Sequence, residues 1–519
     1  MAEMVQKRMR RVRVIRVSLL TLSLLAAVAI RAQTPSDGAR IYRQRYAARM
    51  TPLLCEAVKF RTEPGNTEAV IEQGRWLEQK ARQLSLVYRA AGPVTEIELP
   101  GPEGAPVLGL VVHGDVQPAG ESEWTVPPFA CTVREGNLYG RGVADDKGPL
   151  VQALLAMAAL RDSGRPRTQT IRLMVGSDEE SNNLDIATYL KSHTPPPLTL
   201  VLDSEFPVVV GEKAWDGLEL TAPDPFKIRG RTGAHWAITA LDSGIAASIV
   251  PPRATARLHW LGPEPSGHDP ARALCPSLIP KGYGCEAKWV DHSDVILTTT
   301  GRAAHSGVNI EGGRNALVLM ANVLGLKLAP CGARDLLEFA ALAGRDLHGS
   351  GLGLTQIDPL WGRYNVNVAT VKTGDGGALV LTTNLRRIPP KTHQDIQAYL
   401  EHFIAEFNRS HGCALQFGGY FKDEPLVFDP NAKVVKRLLA DYARATGKIA
   451  PPAISGGGTY AKRLPNAIAF GMWFPGKPYP GHDVDERVPV ADLDRGTVVL
   501  IETLADLACS PPLLDPLKP

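Results

Sequence analysis

Three short segments set carboxylates and a histidine where metal chemistry would want them. His113 closes an apolar run and is followed two residues later by Asp115. An imidazole can bind a metal ion while a nearby carboxylate fixes its tautomer, although H-x-D at a strand end is also a common structural pair. In GRGVADDKGP (140–149), Asp145 stands beside Asp146 in a turn tightened by Gly140, Gly142 and Gly148. Adjacent carboxylates repel and call for a cation, or else for the solvated start of a helix, where acids are favoured anyway. In GSDEESNN, Glu179 and Glu180 are neighbours, so one can bind metal while the other takes a proton from the attacking water. Asp203 ends the next apolar run, and His482 follows the last one in PYPGHDVDER. His113, Asp145, Glu180, Asp203 and His482 make an oxygen and nitrogen set without thiolate. Such a set suits two divalent ions, zinc or manganese, with one carboxylate bridging a pair about 3.5–4 Å apart.

These residues need a scaffold that gathers them, and the hydrophobic pattern supplies one. Strands are predicted over 107–113, 170–176 and 198–202, with helices over 149–160 and 184–192 between them. Apolar strands alternating with helices make a mostly parallel sheet covered by helices, and ligands gather at the carboxyl ends of such strands. HGD, SDEE and DSE follow the three strands in turn. From about Trp215 to about Gly419 the pattern changes to amphipathic strands (254–258, 295–300, 365–371, 378–385) and helices (314–324, 392–408), which reads as an inserted α+β domain. A helix over 431–447, a strand over 467–474 and a closing helix over 490–507 return the chain to the first sheet.

The chain has 519 residues, too many for one core, and 44% hydrophobic with 21% charged residues marks an ordinary globular composition. A net charge of +3, with six basic residues inside the first sixteen, leaves no basic surface for nucleic acid. Those basic residues precede an apolar run over 17–30, the order of a secretory signal peptide cleaved near Ala29 or Ala32. The run is short of the roughly 20 residues of a membrane span, so a cleaved leader is favoured over a retained anchor. An exported chain, periplasmic or secreted and without stable membrane association, is expected. Seven cysteines include no C-x-x-C. Cys275 and Cys285 flank a Pro/Gly-rich loop and form a candidate disulfide, and the other cysteines read as small buried hydrophobes.

In order, HGD, GRGVADDKG, SDEES, LDSEFPVVVGEK, GGGTY with FPG, and a late GHD resemble the co-catalytic metallo-exopeptidases grouped with aminoacylase and succinyl-diaminopimelate desuccinylase, and among them peptidase V and its dipeptidase relatives. The resemblance runs from about Ala39 to Ala508. It implies a zinc-exopeptidase-like α/β catalytic domain (38–215 and 420–510) after a signal peptide (1–32), with an inserted lid (216–419). It implies one ion on His113 and Asp203, a second on Glu180 and His482, Asp145 between them, Asp115 orienting His113, Glu179 as general base and a cis Asp145-Asp146 bond. In the lid, His305 (GRAAHSGV) resembles the histidine that stabilises the oxyanion, and Arg386 (TNLRRIPP) the clamp on the substrate carboxylate, with Arg387 as the alternative. Gly456, Gly457, Gly458 and Thr459 resemble the backbone nest for that carboxylate. Ser248 stands where relatives have asparagine.

The function implied is hydrolysis of dipeptides or other short peptides by a monomer carrying two divalent ions, most readily zinc. An N-acyl amino acid deacylase or desuccinylase would use the same ions and base. A catalytically inactive peptide-binding module is the rival from another class.

Overall fold

The computed structural model describes residues 36–513 except 122–123, 231–232, 264–268 and 422, together with residue 517. The expected signal segment lies outside the described residues. Among the described residues no helix is long and apolar enough to cross a membrane.

Six strands form the sheet that carries the site, in the spatial order Val87–Ala91, Val94–Leu99, Thr170–Gly176, Val107–His113, Leu198–Val201, Ala467–Ala469. The last four run parallel to one another, while Val94–Leu99 is antiparallel to both of its neighbours. The register is what assembles the site. His113 is level with Gly176 across one ladder, and Val111 is level with Val201 across the other. Two residues beyond Val111 and Val201, His113 and Asp203 therefore emerge at the same height, and the SDEE turn leaves from Gly176 beside them.

Helix Lys147–Asp162 is buried at every position from Lys147 to Leu160. A helix that is apolar all round must be enclosed, and this one packs among strands Val107–His113 and Thr170–Gly176 and helices Asp37–Ile41, Met50–Val58 and Val490–Leu507. It fixes the DDK turn that starts it.

Eight antiparallel strands build the second sheet, in the order Gly284–Trp289, Asp294–Thr300, Arg253–Trp260, Trp236–Ser243, Asn365–Thr373, Leu379–Arg386, Asp216–Ala222, Gln416–Phe421. The chain enters this unit on Asp216–Ala222 and leaves it on the adjacent Gln416–Phe421, the geometry of an insertion. Helix His393–His411 begins with a capping box of Thr392 and Asp395 and ends at Gly412 with φ 61°. Its Ile396, Leu400, Ile404 and Phe407, spaced at helical period, join the core of this unit. That core draws on residues between Leu218 and Leu415, and a separate one on residues up to Val210 and from Leu426 onward.

Two disulfides are present, Cys275–Cys285 and Cys55–Cys131. The second corrects the reading of Cys55 and Cys131 as small buried hydrophobes. It ties helix Met50–Val58 to the loop between His113 and Asp145, a partnership over 76 residues that sequence spacing does not reveal.

Candidate active site

His113 is fully buried, and its Nδ1 lies 3.0 Å from the Asp115 carbonyl oxygen and 3.5 Å from Asp115 Oδ1. A carbonyl only accepts, so Nδ1 carries a hydrogen, and Nε2 is the ring atom turned toward Asp145 Oδ1 at 3.0 Å and Asp203 Oδ2 at 3.9 Å. Asp115 has a second use: its Oδ2 accepts the Glu180 N–H at 2.9 Å, locking the SDEE turn against the HGD turn. Asp146 accepts the His113 main-chain N–H at 3.1 Å, so the two adjacent acids have different work. The Asp145-Asp146 peptide is cis, as the resemblance implies.

Asp145 stands between the two histidines. Its Oδ2 is 3.1 Å from His482 Nε2, which is also 3.0 Å from Glu180 Oε1. Potential ligand atoms of His113, Asp145 and Glu180 lie within 4.8 Å of one another, as do those of His113, Glu179 and Asp203. Burial, then the charge of Asp203, pushes the Glu179 carboxyl well above the ordinary range, and burial, then the charge of Asp145, does the same to Asp203. Burial opposes protonation of His482, but the Glu180 charge and the Asp145 hydrogen bond push it up to about 10. The imidazoles are acting as counter-cations to a crowd of carboxylates. Divalent cations would take that part and leave the rings neutral, so the residues fit two such ions.

The second unit brings His305 over this cluster, its ring 4.7 Å from that of His482. His305 Nδ1 accepts the N–H groups of Gly307 at 3.1 Å and Val308 at 2.9 Å. Burial, then the charges of His482 and Arg386, holds His305 well below its usual pKa. The ring is therefore neutral with its hydrogen on Nε2, a preset donor. Gly307 meets Gly456 backbone to backbone, and a Cβ on Gly456 would lie 1.9 Å from the Gly307 carbonyl oxygen. Asn309 Nδ2 donates to the Tyr479 carbonyl at 2.6 Å. The histidine loop is thus seated on both loops beneath it.

Arg386 is 3% exposed, donates to Asn384 Oδ1 at 3.0 Å and, among the described residues, has no carboxylate in ion-pair contact. Burial lowers its pKa to about 10, so it stays a cation at neutral pH. Arg387 is excluded as the clamp, because its guanidinium is spent on Asp216 at 2.9 Å and Glu424 at 3.0 Å. In the glycine loop the Gly457 N–H donates to Ser455 Oγ at 3.0 Å, and Thr459 gives both its N–H (3.1 Å) and its hydroxyl (2.7 Å) to Glu212. Thr459 is therefore an anchor of the nest, which narrows the donors left free among the described residues to the N–H groups of Gly456 and Gly458. Ser248 lines the cavity, and its carbonyl accepts the Ser306 N–H at 2.8 Å.

Sequence reading missed three supports. Fully buried Glu486 accepts from Arg141 Nη1 at 2.9 Å and from the N–H groups of Gly142, Ala144 and Asp145 at 3.1, 2.8 and 3.2 Å, and so shapes the DD turn. Glu212 holds the glycine loop as described, and the Tyr479 carbonyl seats the histidine loop through Asn309. Glu486 follows His482 by four residues in GHDVDER, a local signal that it belongs near the site. Together these elements enclose a cavity of about 1720 Å³ between the two units, larger than the roughly 300–1,000 Å³ usual for small-ligand sites.

The family model of peptidase family M20/M25/M40 matches residues 109–506, a span containing every candidate ligand and support described above. The chain belongs to that family. This M20 protein is a hydrolase of the metallopeptidase class, and the resemblance read from its motifs is borne out, as is its fold class. It is 28% identical over 405 residues to the Beta-Ala-Xaa dipeptidase of Lactobacillus delbrueckii subsp. lactis, covering 77% of this chain and 82% of that one. Among solved structures it shares its fold with human carnosine dipeptidase 1 (TM-score 0.55, 12% identity, 91% of this chain and 100% of that one). The dipeptidase Dug1p of Saccharomyces cerevisiae superposes similarly (TM-score 0.56, 13% identity, 92% and 98%).

Proposed function

We propose that this M20 enzyme hydrolyses the peptide bond of dipeptides and other short peptides, using two divalent ions, zinc first and manganese second. The observation that carries the reading is Asp145 between His113 and His482, with Glu179 beside them and, in the same cavity, the Arg386 guanidinium, which has no ion-pair partner among the described residues. The ions, on His113, Asp203 and Asp145 and on Asp145, Glu180 and His482, would supply Lewis acidity and an acidified water. Glu179 takes a proton from the water as its oxygen attacks the carbonyl carbon, and returns that proton to the leaving amine nitrogen as the C–N bond breaks. His305 donates its Nε2–H to the carbonyl oxygen as charge develops there. Arg386 and the free N–H groups of the glycine loop hold the carboxylate.

Purified mature protein, apo and reloaded with zinc or manganese, should be offered dipeptides, tripeptides and N-acetyl amino acids. Metal-dependent loss of the dipeptides is expected. Cleavage of N-acetyl amino acids alone would make the enzyme a deacylase, and tight binding without turnover an inactive capture module. Arg386→Lys should raise KM for free-carboxylate dipeptides about 10–100-fold with little change for dipeptide amides, because a point charge cannot replace the planar fork. His305→Ala should lower kcat about 10²–10³-fold at nearly constant KM, the signature of a contact made in the transition state.

We also infer that the chain works outside the cytoplasm, as a monomer free of the membrane after loss of a leader. Two disulfides among seven cysteines suit an oxidising compartment.

A further inference from the structure

A dipeptide is a zwitterion, and recognition at its carboxylate end uses only half of that character. The two-residue strand Ser204–Glu205 pairs in parallel with Met472–Trp473, with Glu205 level with Trp473. Paired residues present their side chains to the same face of a sheet, and both of these line the catalytic cavity. Among the described residues no hydrogen bond or ion pair reaches the Glu205 carboxylate. Asp423, another carboxylate of the cavity wall, is neutralised by Lys462 at 3.1 Å and Arg463 at 3.2 Å. Trp473 is held in place by its indole N–H, which donates to the Lys477 carbonyl at 3.0 Å, and by edge-to-face packing with Tyr479 at 5.7 Å.

A carboxylate without a counter-ion beside a fixed indole is a receptor for an ammonium group, through a charge-assisted hydrogen bond and a cation–π contact. Glu205 lies two residues beyond Asp203, on the wall that carries the reacting centre, and a peptide's free amine is two bonds from the carbonyl carbon that is attacked. Among the described residues Arg386 of this cavity has no carboxylate ion-pair partner, and Glu205 has no cation. That charge pattern is the complement of a zwitterion.

We propose that Glu205 and Trp473 anchor the free ammonium at the amino end of the substrate, so that the site selects peptides with an unblocked amino terminus over N-acyl amino acids. This rests on the peptidase reading above and fixes the one end of the substrate that the metal ligands leave undecided.

Glycyl-leucine and N-acetyl-leucine test it, since they differ only by the ammonium group and present the same bond for cleavage. With zinc-loaded full-length mature protein, the wild type should favour glycyl-leucine. In Glu205→Gln, KM for glycyl-leucine should rise about 10–100-fold with kcat changed only a few-fold, and the preference over N-acetyl-leucine should fall by about the same factor. Trp473→Leu should move the ratio in the same direction by less, and Glu205→Asp should restore part of it. Matching circular dichroism and melting temperature would show that the variants are folded. An equal loss on both compounds, or an unchanged ratio, would overturn the anchor while leaving the peptidase reading intact. A wild type that prefers N-acetyl-leucine would overturn both. Should neither compound turn over, calorimetric binding of the pair to Glu179→Gln protein, with and without Glu205→Gln, decides: a selective loss of glycyl-leucine affinity supports the anchor, and equal affinities overturn it.

Discussion

Glu179→Gln is expected to lower kcat by about 10²–10⁴-fold while the protein keeps its full complement of metal and its affinity for substrate. The adjacent acids are differently committed. Glu180 offers Oε1 to His482 at 3.0 Å and accepts from Gln117 Nε2 on Oε2 at 3.0 Å, and its N–H is tied to Asp115. Glu179 has no side-chain hydrogen bond among the described residues, yet it converges with His113 and Asp203. Burial and the neighbouring Asp203 charge raise its affinity for a proton, which is what a group that accepts and then returns one requires. The amide of glutamine keeps the shape but cannot take the proton. The same convergence allows a rival in which Glu179 is itself a metal ligand, and metal content separates the two. A variant that is inactive with metal per chain unchanged has lost its base, whereas one that loses about one ion per chain has lost a ligand and would refute the assignment. Both quantities come from one preparation, by elemental analysis and a dipeptide assay.

Much of this site was legible because strand register converts sequence position into height. HGD, SDEE and DSE each follow an apolar run, and parallel pairing brings those three corners together with no side-chain information at all. The later motifs were readable only through their resemblance to a family, since nothing local says that His305 or Arg386 crosses from another unit to reach the cluster. Arg386 and Arg387 were indistinguishable as neighbours; alternation along the strand end sends one into the cavity and the other to Asp216. Glu486, Glu212 and the Cys55–Cys131 bridge escaped for one common reason. Each acts through a partner between 76 and 345 residues away, where the chemistry is ordinary (a carboxylate under amides, a thiol near a thiol) and only the fold makes it specific. The Thr459 donors were misjudged on the same ground, because a nest that looks open in sequence is already half filled from beneath by Glu212.

Asp145→Asn should abolish metal-dependent activity, by more than about 10³-fold, and should weaken both ions where loss of any other ligand weakens chiefly one. Among the described residues Asp145 is the single group in contact with both His113 and His482, through Oδ1 to His113 at 3.0 Å and Oδ2 to His482 at 3.1 Å. An asparagine supplies one oxygen and no charge, so a bridge between two cations loses its second bond and the negative charge that lets them sit close together. Changes to groups around a metal ligand typically cost 10–100-fold in affinity, and replacing the shared ligand itself should exceed that at both positions. His482→Ala is the control. It removes a contact to Glu180 and Asp145 on one side only, so it should leave about one ion per chain, held with His113 and Asp203. Glu486→Gln gives a graded comparison, because it disturbs the turn carrying Asp145 without touching the ligands. Zinc titration followed by melting temperature reads all three: ligand that binds only the folded state raises the melting point. The zinc-induced rise should be lost in Asp145→Asn, halved in His482→Ala and shifted to higher zinc in Glu486→Gln. If Asp145→Asn and His482→Ala lose the same single ion, Asp145 does not bridge, and the two-ion site must be redrawn around Glu179.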